Sequence, residues 1–433
     1  MRLSPVDPDR PPPGPFRSDF WRSPLRGPWL TAVLGLVLLL GLPIVIVTGL
    51  VSNDAYQPGL GGNALGRNVG GPLDVYLFGW PTHPPWLYAL TQGLHVSIGL
   101  ALTPVVLAKL WSVIPRLFEW PPVRSPAHAL ERLSLALLVG GVLFEFVTGI
   151  LNIQYWYAFP FSFTQAHYYG AWVFIAGFLV HVTLKFGTMR QSLRTRTEVL
   201  ESLSPEHADQ PSARGAGGPA PTRLVAASPA PSTMSRRSLL ATVAAGAALL
   251  GLQGAAQSIG GPFRPLAFLL PRGRDRPGPL GFPVNRTAAA VGITPDDVGA
   301  RWRLTLMGAR SMSLSREQLL ALPQHTYDLP IACVEGWSTT QRWRGVRLRD
   351  LAALVGVTGS TTVTSRSLDR GTFGNATLGH EQVADDRSLL ALRVNDVDLS
   401  LDHGYPARVI SPAVPGVHCT KWVTTMTFHP VAQ

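Results

Sequence analysis

Cys333 is the first residue of this sequence whose chemistry calls for an explanation. It follows an apolar run and precedes Val-Glu-Gly-Trp-Ser, which ends at Ser338. A thiolate is a soft metal ligand and a nucleophile, but a single cysteine after an apolar strand is also often a small buried hydrophobe. The spacing by itself leaves both interpretations open.

A second stretch near the carboxyl end is rich in groups that bind anions. It runs from His403 to Arg408 and continues through His418 to Lys421. Its composition is typical of a short strand between two turns. The basic side chains predict a rim that can hold an anion, since a guanidinium donates two parallel hydrogen bonds to a phosphate.

Four histidines lie in or near long apolar runs: His95, His128, His167 and His181. An ionisable residue inside a membrane is a functional candidate, although a single one could be hydrogen-bonded packing. His167 and His181 are fourteen residues apart. On one helix they would lie about 40° apart in angle and about 21 Å apart along the axis, a spacing suited to two haem irons at different depths.

Depth suggests which histidines pair. Measured at about 1.5 Å per residue from the lysine at the inner end of each helix, His95 lies about 21 Å outward, His167 about 27 Å and His181 about 6 Å. We therefore predict that His95 and His167 ligate an outer haem. His181 would pair with His128, the histidine near the inner surface, at a possible second haem.

Five apolar runs must position these histidines. Four are long enough to span about 30 Å of hydrocarbon, which takes about 20 residues: 28–51, 85–110, 129–151 and 164–186. A fifth run, 239–256, is shorter and rich in Ala and Gly, so it is a marginal span.

Composition and charge indicate a membrane protein with a polar part outside the bilayer. The 433 residues carry a formal net charge of +11, yet only 15% are charged and 46% are hydrophobic. Basic residues cluster before the first run, between the second and third, and after the fourth, whereas 152–163 has none. By the positive-inside rule the N-terminus is cytoplasmic. Since the basic excess is a topology signal, we expect no nucleic-acid partner, and two cysteines exclude a disulfide-built scaffold.

A linker and an export signal follow the fourth run. Residues 200–233 are rich in Ala, Pro, Ser and Gly, which predicts disorder. Arg236 and Arg237 precede the fifth run and resemble a twin-arginine export signal; two ordinary stop-transfer arginines are the alternative. Either way we expect 260–433 outside the cytoplasm, and Gly254 and Ala256 would permit cleavage after Ala256.

The predicted organisation has six parts. They are a cytoplasmic tail (1–27), a four-helix membrane domain (28–187), a disordered cytoplasmic linker (188–234), a signal or anchor helix (235–256), an exported linker (257–280) and an α+β domain (281–433). Short alternating runs separated by Gly, Pro and Asp favour α+β for the last part, with short helices at 315–321 and 348–355.

The two carboxyl-terminal stretches together resemble the molybdopterin-binding domain of the sulfite oxidase family, over about 282–428. The resemblance implies that Cys333 ligates molybdenum, and the motif His/Asn-Gly-X-Pro-X-Arg matches His403 to Arg408. The cofactor-binding residues that it implies are Asn285, Ser367, His403, Arg408, Gly416, Val417, His418 and Lys421.

The residues after Cys333 depart from the sulfite-oxidising pattern of a small residue, Gly, Asn and paired arginines. The segment 334–338 is more similar to the periplasmic methionine sulfoxide reductase branch, whose pocket is less cationic. A Cys333–Cys419 disulfide is the alternative to metal ligation in an exported domain. We expect Cys419 to be a structural free thiol.

The membrane part, over about 28–185, resembles the four-helix di-haem cytochrome b family. The two histidines on the last helix and one on the second match, but the family's usual histidine on the first helix is absent. The implied fold is an all-α cytochrome b-like bundle with one further anchoring helix, followed by the α+β domain. Glu145 on the third run is a possible quinol proton acceptor, or it faces the bundle interior.

These expectations define a function and its alternatives. Electrons would pass from quinol through haem b to an exported molybdenum centre that reduces an S-oxide or similar small oxo-substrate. The reverse flow, a sulfite-type dehydrogenase feeding quinone, is the first alternative. A non-enzymatic membrane receptor with a metal-free domain is the second.

Overall fold

The computed structural model describes residues 11–57, 59–60, 63, 76–195, 224–226, 228–274, 278–371 and 373–431. The start of the predicted tail and the centre of the predicted linker, 196–223, lie outside the described residues. The chain divides into two compact units that alternate along the sequence. The first comprises Met1–Ile46, Ile98–Ile150 and Phe161–Gly251, and the second Val47–Ser97, Leu151–Pro160 and Leu252–Gln433.

Five helices among the described residues are long and apolar enough to cross a membrane. They are α1 (Pro28–Asp54), α2 (Leu87–Leu117), α3 (Pro126–Ile153), α4 (Phe163–Arg194) and α5 (Arg236–Ile259). Each corresponds to one predicted apolar run and is longer than that run. Helix α4 continues past 186, the end of the predicted fourth run, because backbone hydrogen bonding does not stop where the side chains become polar. The marginal fifth run is likewise part of a 24-residue helix.

The first unit is helical and its core is aliphatic and aromatic. The buried core residues are Leu42, Leu102, Val106, Val142, Phe174 and Phe178. Helices α3 and α4 approach closely at two glycines. A Cβ added at Gly141 would lie 3.1 Å from Phe174 Cα, and one added at Gly177 would lie 3.2 Å from Leu138 N. Small residues at such contacts are typical of helices that pack in membranes.

The described residues of the second unit form ten strands in two sheets. The strands are β1 (Leu304–Met307), β2 (Ser311–Leu314), β3 (His325–Ala332), β4 (Ser338–Arg347), β5 (Thr361–Ser367), β6 (Asn375–Leu378), β7 (Leu389–Val394), β8 (Val397–Asp398), β9 (Arg408–Ile410) and β10 (Val423–Pro430). One sheet has the order β2-β1-β10-β5-β6, in which only β1 and β10 are parallel. The other has the order β3-β4-β7-β8, with β9 also paired to β7, and is antiparallel.

Four short α-helices occur among the described residues of this unit, and the last three of them connect strands. They are α6 (Pro271–Arg274), α7 (Arg316–Ala321), α8 (Leu348–Leu354) and α9 (His380–Ala384). Helices α7 and α8 lie within one residue of the positions predicted from the sequence. Ser315 caps α7 with the reciprocal hydrogen bonds of a capping box to Gln318, which explains the start of that helix.

The core of the second unit includes residues from outside the predicted α+β domain. Ala55, Tyr56, Trp80 and Tyr88 are buried with the residues of both sheets. Trp80 Nε1 donates to the carbonyl of Ala413 over 2.6 Å. The domain boundary predicted at residue 281 leaves these four residues out of the α+β domain. Their apolar side chains could equally have faced lipid, so the sequence did not assign them to its core.

Candidate active site

Cys333 lies in a tight turn at the end of β3. Its N–H donates to the carbonyl of Trp337 over 3.0 Å, and the N–H of Gly336 donates to the carbonyl of Cys333 over 3.0 Å. Gly336 has a φ of +87°, which side chains with a Cβ adopt only at a cost. The turn holds the Cys333 side chain in a buried position, 8% exposed.

Polar groups surround the Cys333 sulfur. Asn285 Nδ2 donates to Cys333 Sγ over 2.6 Å and to the Glu335 carboxylate over 3.1 Å. Trp337 Nε1 donates to Asn285 Oδ1 over 3.1 Å. Burial and the Glu335 carboxyl raise the pKa of Cys333 well above its usual value. A bound metal ion reverses this effect, because a coordinated thiol is deprotonated.

Two residues that the sequence analysis missed complete this group. Arg272 Nη2 donates to Asn285 Oδ1 over 2.7 Å, and Arg272 Nε donates to the Tyr155 hydroxyl over 2.7 Å. The Arg272 guanidinium carbon also lies 4.6 Å from the centre of the Tyr155 ring. Neither Arg272 nor Tyr155 lies at a regular sequence spacing from Cys333, so no sequence pattern pointed to them.

Arg408 is a buried cation without an anionic partner. Its Nη1 and Nη2 donate to the carbonyls of His403 and Cys419 over 3.1 and 3.2 Å. Its Nε has no hydrogen-bond partner, and no carboxylate of the described residues forms an ion pair with it. Burial lowers the pKa of Arg408 to about 10. Because an unpaired buried charge is costly, this pocket is suited to an anion.

Lys421 adds a second cation to the same pocket. Its Nζ donates to the carbonyls of Arg286 and Asp402. Burial, followed by the charge of Arg408, lowers the pKa of Lys421 to about 7. Gly404, with a φ of +105°, separates the two cations: an added Cβ would lie 3.0 Å from Lys421 Cβ and 3.1 Å from Arg408 Cβ. A side chain at this position would be strained by the positive φ and would crowd both cationic side chains, so glycine is favoured here.

The imidazole rings of His403 and His418 add buried nitrogen atoms that lack hydrogen-bond partners among the described residues. His403 Nε2 and both ring nitrogens of His418 are buried without a hydrogen-bond partner among the described residues. Burial lowers the pKa of His403 to about 4 and that of His418 to about 3, so both rings are uncharged near neutral pH. Buried polar atoms are rarely left unpaired. An organic cofactor with a phosphate and polar ring edges, such as molybdopterin, fits this set of donors.

The remaining predicted contacts form the loop around the pocket. Gly416, Val417 and His418 form one turn of 3₁₀ helix. A Cβ on Gly416 would lie 3.1 Å from the carbonyl oxygen of Ala332, so this loop lies against the strand end that leads to Cys333.

Three further predicted roles are clarified by the structure. The Ser367 hydroxyl donates to the Lys421 carbonyl over 2.7 Å and so supports the loop. Asn285 lies at the sulfur rather than beside Arg408. Both cysteines are free, so the alternative of a Cys333–Cys419 disulfide is wrong.

In the first unit, Glu145 contacts a predicted haem ligand. His167 Nδ1 lies 3.1 Å from Glu145 Oε2 and 2.9 Å from the Thr148 hydroxyl. Carboxylates commonly hold metal-binding histidines in this way, because the bond fixes the orientation of the ring. Glu145 therefore contacts His167, and the predicted role of Glu145 in quinol proton transfer did not anticipate this contact.

The inner histidines share a cavity. His181 and His128 both line a space of about 560 Å³ in the first unit, together with Lys109, Arg116 and Arg132. His95 belongs to the second unit, where its ring packs against Gly49; a Cβ there would lie 2.8 Å from His95 Cε1. The pairing of His95 with His167 stays a prediction.

The helix that carries His95 also contacts the Cys333 turn. Gln92 Nε2 donates to the carbonyl of Val334 over 2.6 Å, and a Cβ on Gly336 would lie 2.8 Å from Val96 Cβ. From α5, Gln257 Nε2 donates to the carbonyl of Glu335 over 2.8 Å. Two helices thus hold the turn that presents Cys333.

Comparison with known proteins identifies part of the chain. Residues 291–432 match the family described as "Oxidoreductase molybdopterin binding domain". This part of the chain is therefore a molybdopterin-binding oxidoreductase domain, as predicted. The match begins after all five long helices. Asn285, Arg272 and Tyr155 also lie outside it.

Relatives at about 30% identity carry related domains. The mitochondrial sulfite oxidase of Mus musculus is 30% identical over 185 residues, which are 36% of this chain and 33% of that protein. The uncharacterized oxidoreductase YuiH of Bacillus subtilis (strain 168) is 30% identical over 131 residues, 30% of this chain and 65% of that protein. The chain thus spans about a third of the first relative and less than two thirds of the second.

One solved structure is also similar in sequence. The sulfane dehydrogenase SoxCD from Paracoccus pantotrophus aligns at 25% identity with a TM-score of 0.29, over 31% of this chain and 39% of that chain.

Proposed function

We propose that this protein is a membrane-bound molybdenum oxidoreductase that passes electrons from quinol through haem b to a centre at Cys333, where an S-oxide is reduced. The observation that carries this proposal is the contact of α2 with the Cys333 turn through Gln92 and Val96. Because α2 also carries His95, a haem on this helix would lie near the centre. Electron transfer between the two then needs no separate carrier protein.

The chain's own residues have distinct roles in holding the cofactor. Bound molybdopterin supplies a metal that exchanges an oxygen atom and two electrons with the substrate. Cys333 would hold the metal through its sulfur. Arg408 and Lys421 would bind the phosphate, which gives the buried guanidinium the anion that it lacks. The neutral rings of His403 and His418 would bond the polar edges of the pterin.

The membrane arrangement follows from helix length and charge. Five apolar helices would cross the bilayer, with the N-terminus in the cytoplasm and the molybdopterin domain in the periplasm or outside the cell. His95 and His167 would ligate the outer haem. His181 and His128 would ligate a second haem in the cavity of about 560 Å³, whose basic lining suits propionates.

The overall reaction balances with quinol as the reductant. The S–O bond breaks, the sulfur regains an electron pair, and the oxygen leaves as water: R₂SO + QH₂ → R₂S + Q + H₂O. The residues after Cys333 favour this direction, because the paired arginines typical of sulfite-oxidising sites are absent there. The mouse relative is a sulfite oxidase, which favours the reverse flow, from sulfite to quinone.

Two assays on detergent-purified protein distinguish the directions. Reduction of methionine sulfoxide by methyl viologen tests the reductase, and reduction of ferricyanide by sulfite tests the dehydrogenase. We expect turnover in the first assay. Turnover only in the second would overturn the proposed direction.

A matched pair of cysteine variants tests the metal centre. Cys333→Ser should lose turnover and most molybdenum, measured by elemental mass spectrometry, while iron per chain is unchanged. Cys419→Ser, also buried but without a proposed ligand role, should retain both metals. Wild-type protein with iron but no molybdenum, from a host that makes the cofactor, would favour the receptor alternative.

A further inference from the structure

We propose that the segment 260–270, which follows α5, lies in the headgroup region of the outer lipid leaflet and holds the sheet-rich unit at the membrane surface. Phe263, Leu266, Phe268 and Leu269 form its interfacial patch. This inference rests on the membrane arrangement in the proposed function, but not on the haems, the metal or the direction of electron flow. The family match over 291–432 does not include the segment.

The backbone of the segment turns with a period of three residues. Gly261–Leu266 form a 3₁₀ helix, and further i to i+3 hydrogen bonds follow it. Ala267 N–H donates to the Arg264 carbonyl and Leu270 N–H to the Ala267 carbonyl, both over 2.9 Å. Side chains three residues apart in such a structure lie on the same side. The segment therefore has an inward side and an outward side.

Contacts with the rest of the second unit fix the inward side. Ala267 is fully buried and Leu270 is 2% exposed. Arg264, three residues before Ala267, is half-buried, and its Nη2 donates to the carbonyl of Ser338 at the start of β4 over 3.0 Å. These contacts hold the segment in one orientation, so its outward side chains stay outward.

The outward side is apolar. Phe263, Leu266 and Leu269 follow one another at intervals of three and are 50%, 61% and 41% exposed, and Phe268 is 54% exposed. Leu269 N–H donates to Gln253 Oε1 of α5 over 2.9 Å, which fixes the end of the segment. A cluster of exposed apolar side chains on a rigid backbone marks a surface that another molecule covers.

The position of the patch indicates that lipid covers it. The segment begins directly after α5, one of the five helices proposed to cross the bilayer. Near the end of α5, Leu252 and Ile259 are 68% and 64% exposed, and a spacing of seven residues places them on one helix face. This exposed apolar face ends four residues before Phe263, so the patch continues an apolar surface of the helix.

The distribution of exposed aromatic side chains is an independent argument. Among the described residues of the second unit they are Tyr76, Phe78, Trp86, Trp156, Tyr157, Phe159, Phe263, Phe268 and Phe373. All except Phe373 lie in the chain segments that precede α2, follow α3 or follow α5. Aromatic residues are enriched at the level of the lipid headgroups, where one end of the ring is apolar and the other is wet.

Charge favours lipid over a second copy of the chain. Residues 252–274 include Arg264, Arg272 and Arg274 and contain no Asp or Glu. Basic side chains beside an apolar surface suit lipid phosphates, which they attract. In a symmetric pair of chains the same arginines would face each other, and like charges would oppose the contact.

Bimane fluorescence in vesicles tests the placement. Phe268→Cys is labelled in the full chain, with Leu40→Cys near the middle of α1 and Val397→Cys on β8 as controls; all three positions are exposed. Both native cysteines are buried, and the unsubstituted protein measures their background. The vesicles contain phosphatidylcholine and phosphatidylglycerol with bromine either near the headgroup or near the chain ends.

Each label has its own expected response. The label at position 268 should be quenched most by bromine near the headgroup, the label at 40 most by bromine near the chain ends, and the label at 397 by neither. Leu266→Glu should reduce quenching at 268, because a carboxylate is repelled by lipid phosphates. Val397→Glu, the matched control, should leave quenching at 268 unchanged.

A measurement on the unsubstituted chain keeps the proposal testable if a variant folds poorly. A phospholipid with a diazirine near its headgroup is activated by light in the same vesicles, and peptides are analysed by mass spectrometry. Peptides that cover 260–270 should carry lipid adducts, whereas peptides that cover β8 should carry none.

The outcomes separate this inference from the proposed membrane arrangement. Quenching at 40 but not at 268, with no adducts in 260–270, would overturn the inference and leave the membrane arrangement intact. Unchanged quenching at 268 in Leu266→Glu would contradict the role of the patch. Crosslinks between chains at position 268, in place of lipid quenching, would assign the patch to a second copy and overturn the proposal. Absence of quenching at 40 would instead overturn the membrane arrangement.

Discussion

Arg408 illustrates at the scale of a residue why this domain needs a ligand. Its guanidinium is buried, and among the described residues it donates only to carbonyl groups and its Nε has no partner. A phosphate would supply charge-assisted hydrogen bonds worth about 1.5–3 kcal/mol each. In Arg408→Met we therefore expect at least a tenfold loss of molybdenum per chain, measured by elemental mass spectrometry. Arg366→Met, an exposed residue of β5, should retain the metal. Full loading of Arg408→Met would show that the anion is held elsewhere.

Lys421 predicts a pH dependence at the same scale. Burial lowers the pKa of Lys421 from 10.5 to about 7. Between these values the unfolded chain binds more protons than the folded one, so the free energy of unfolding of cofactor-free protein rises with pH across this window. Below about pH 7 both states are protonated and the cost of burying the charge is fully present. Lys421→Met should lack this rise when urea unfolding is compared between about pH 7 and about pH 10. An equal rise in both proteins would contradict the prediction.

The contact between α2 and the Cys333 turn is testable at the scale of elements. Gly336 and Gly359 have φ values of +87° and +86°, so alanine costs about 1–2 kcal/mol of backbone strain at each. Only at Gly336 would the new Cβ meet another residue, Val96 at 2.8 Å; at Gly359 nothing lies within 4 Å. Gly336→Ala should therefore lower the thermal unfolding midpoint more than Gly359→Ala does. Equal losses would mean that α2 moves away at little cost.

A second test at this scale concerns α3 and α4. Glu145 holds His167 Nδ1, whereas Glu131 on the same helix pairs with Lys185 at 2.8 Å in a half-exposed ion pair. Glu145→Ala should weaken haem retention roughly ten- to a hundredfold, seen in reduced-minus-oxidised spectra. Glu131→Ala, next to the proposed inner haem, should leave the spectrum of the outer haem unchanged. If Glu145→Ala kept its haem but lost quinol oxidation, the residue would instead be the proton acceptor that the sequence suggested.

At the scale of the whole molecule, the sheet-rich unit depends on Trp80, which lies between α1 and α2, far from the strands in sequence. Trp80 is 2% exposed, and its ring nitrogen bonds the loop carbonyl of Ala413. Trp80→Ala should destabilise this unit by about 3–5 kcal/mol. Trp156→Ala, at a position 66% exposed, should change the free energy of unfolding by about 0.5 kcal/mol or less. Urea unfolding followed by hydrogen exchange in the strands measures both.

The same dependence predicts the behaviour of a fragment. Residues 252–433 without the rest of the chain would expose the core surface that Ala55, Tyr56, Trp80 and Tyr88 cover. We expect this fragment to be poorly soluble and less protected from hydrogen exchange than the same residues in the full chain. A fragment as stable as the intact unit would show that these four residues are dispensable.

The sequence by itself determined the features that are encoded over short stretches. Runs of apolar residues predicted each of the five long helices, because spanning length and hydropathy are both read within one segment. Cys333 and the motif from His403 to Arg408 predicted the molybdopterin-binding domain, which the family match over 291–432 confirms. The haem ligands and the direction of electron flow remain predictions.

The tertiary structure alone decided which distant residues share the centre. Arg272 and Tyr155 are 117 positions apart, and Trp80 and Ala413 are 333 apart. Helical and strand periodicity relate residues only within one element, so no pattern could pair these. Burial of apolar surface brings the segments together, and buried polar groups then take the nearest hydrogen-bond partner, wherever it lies in the chain. For this reason Cys333 could be singled out from the sequence, whereas Arg272 and Tyr155 beside it could not.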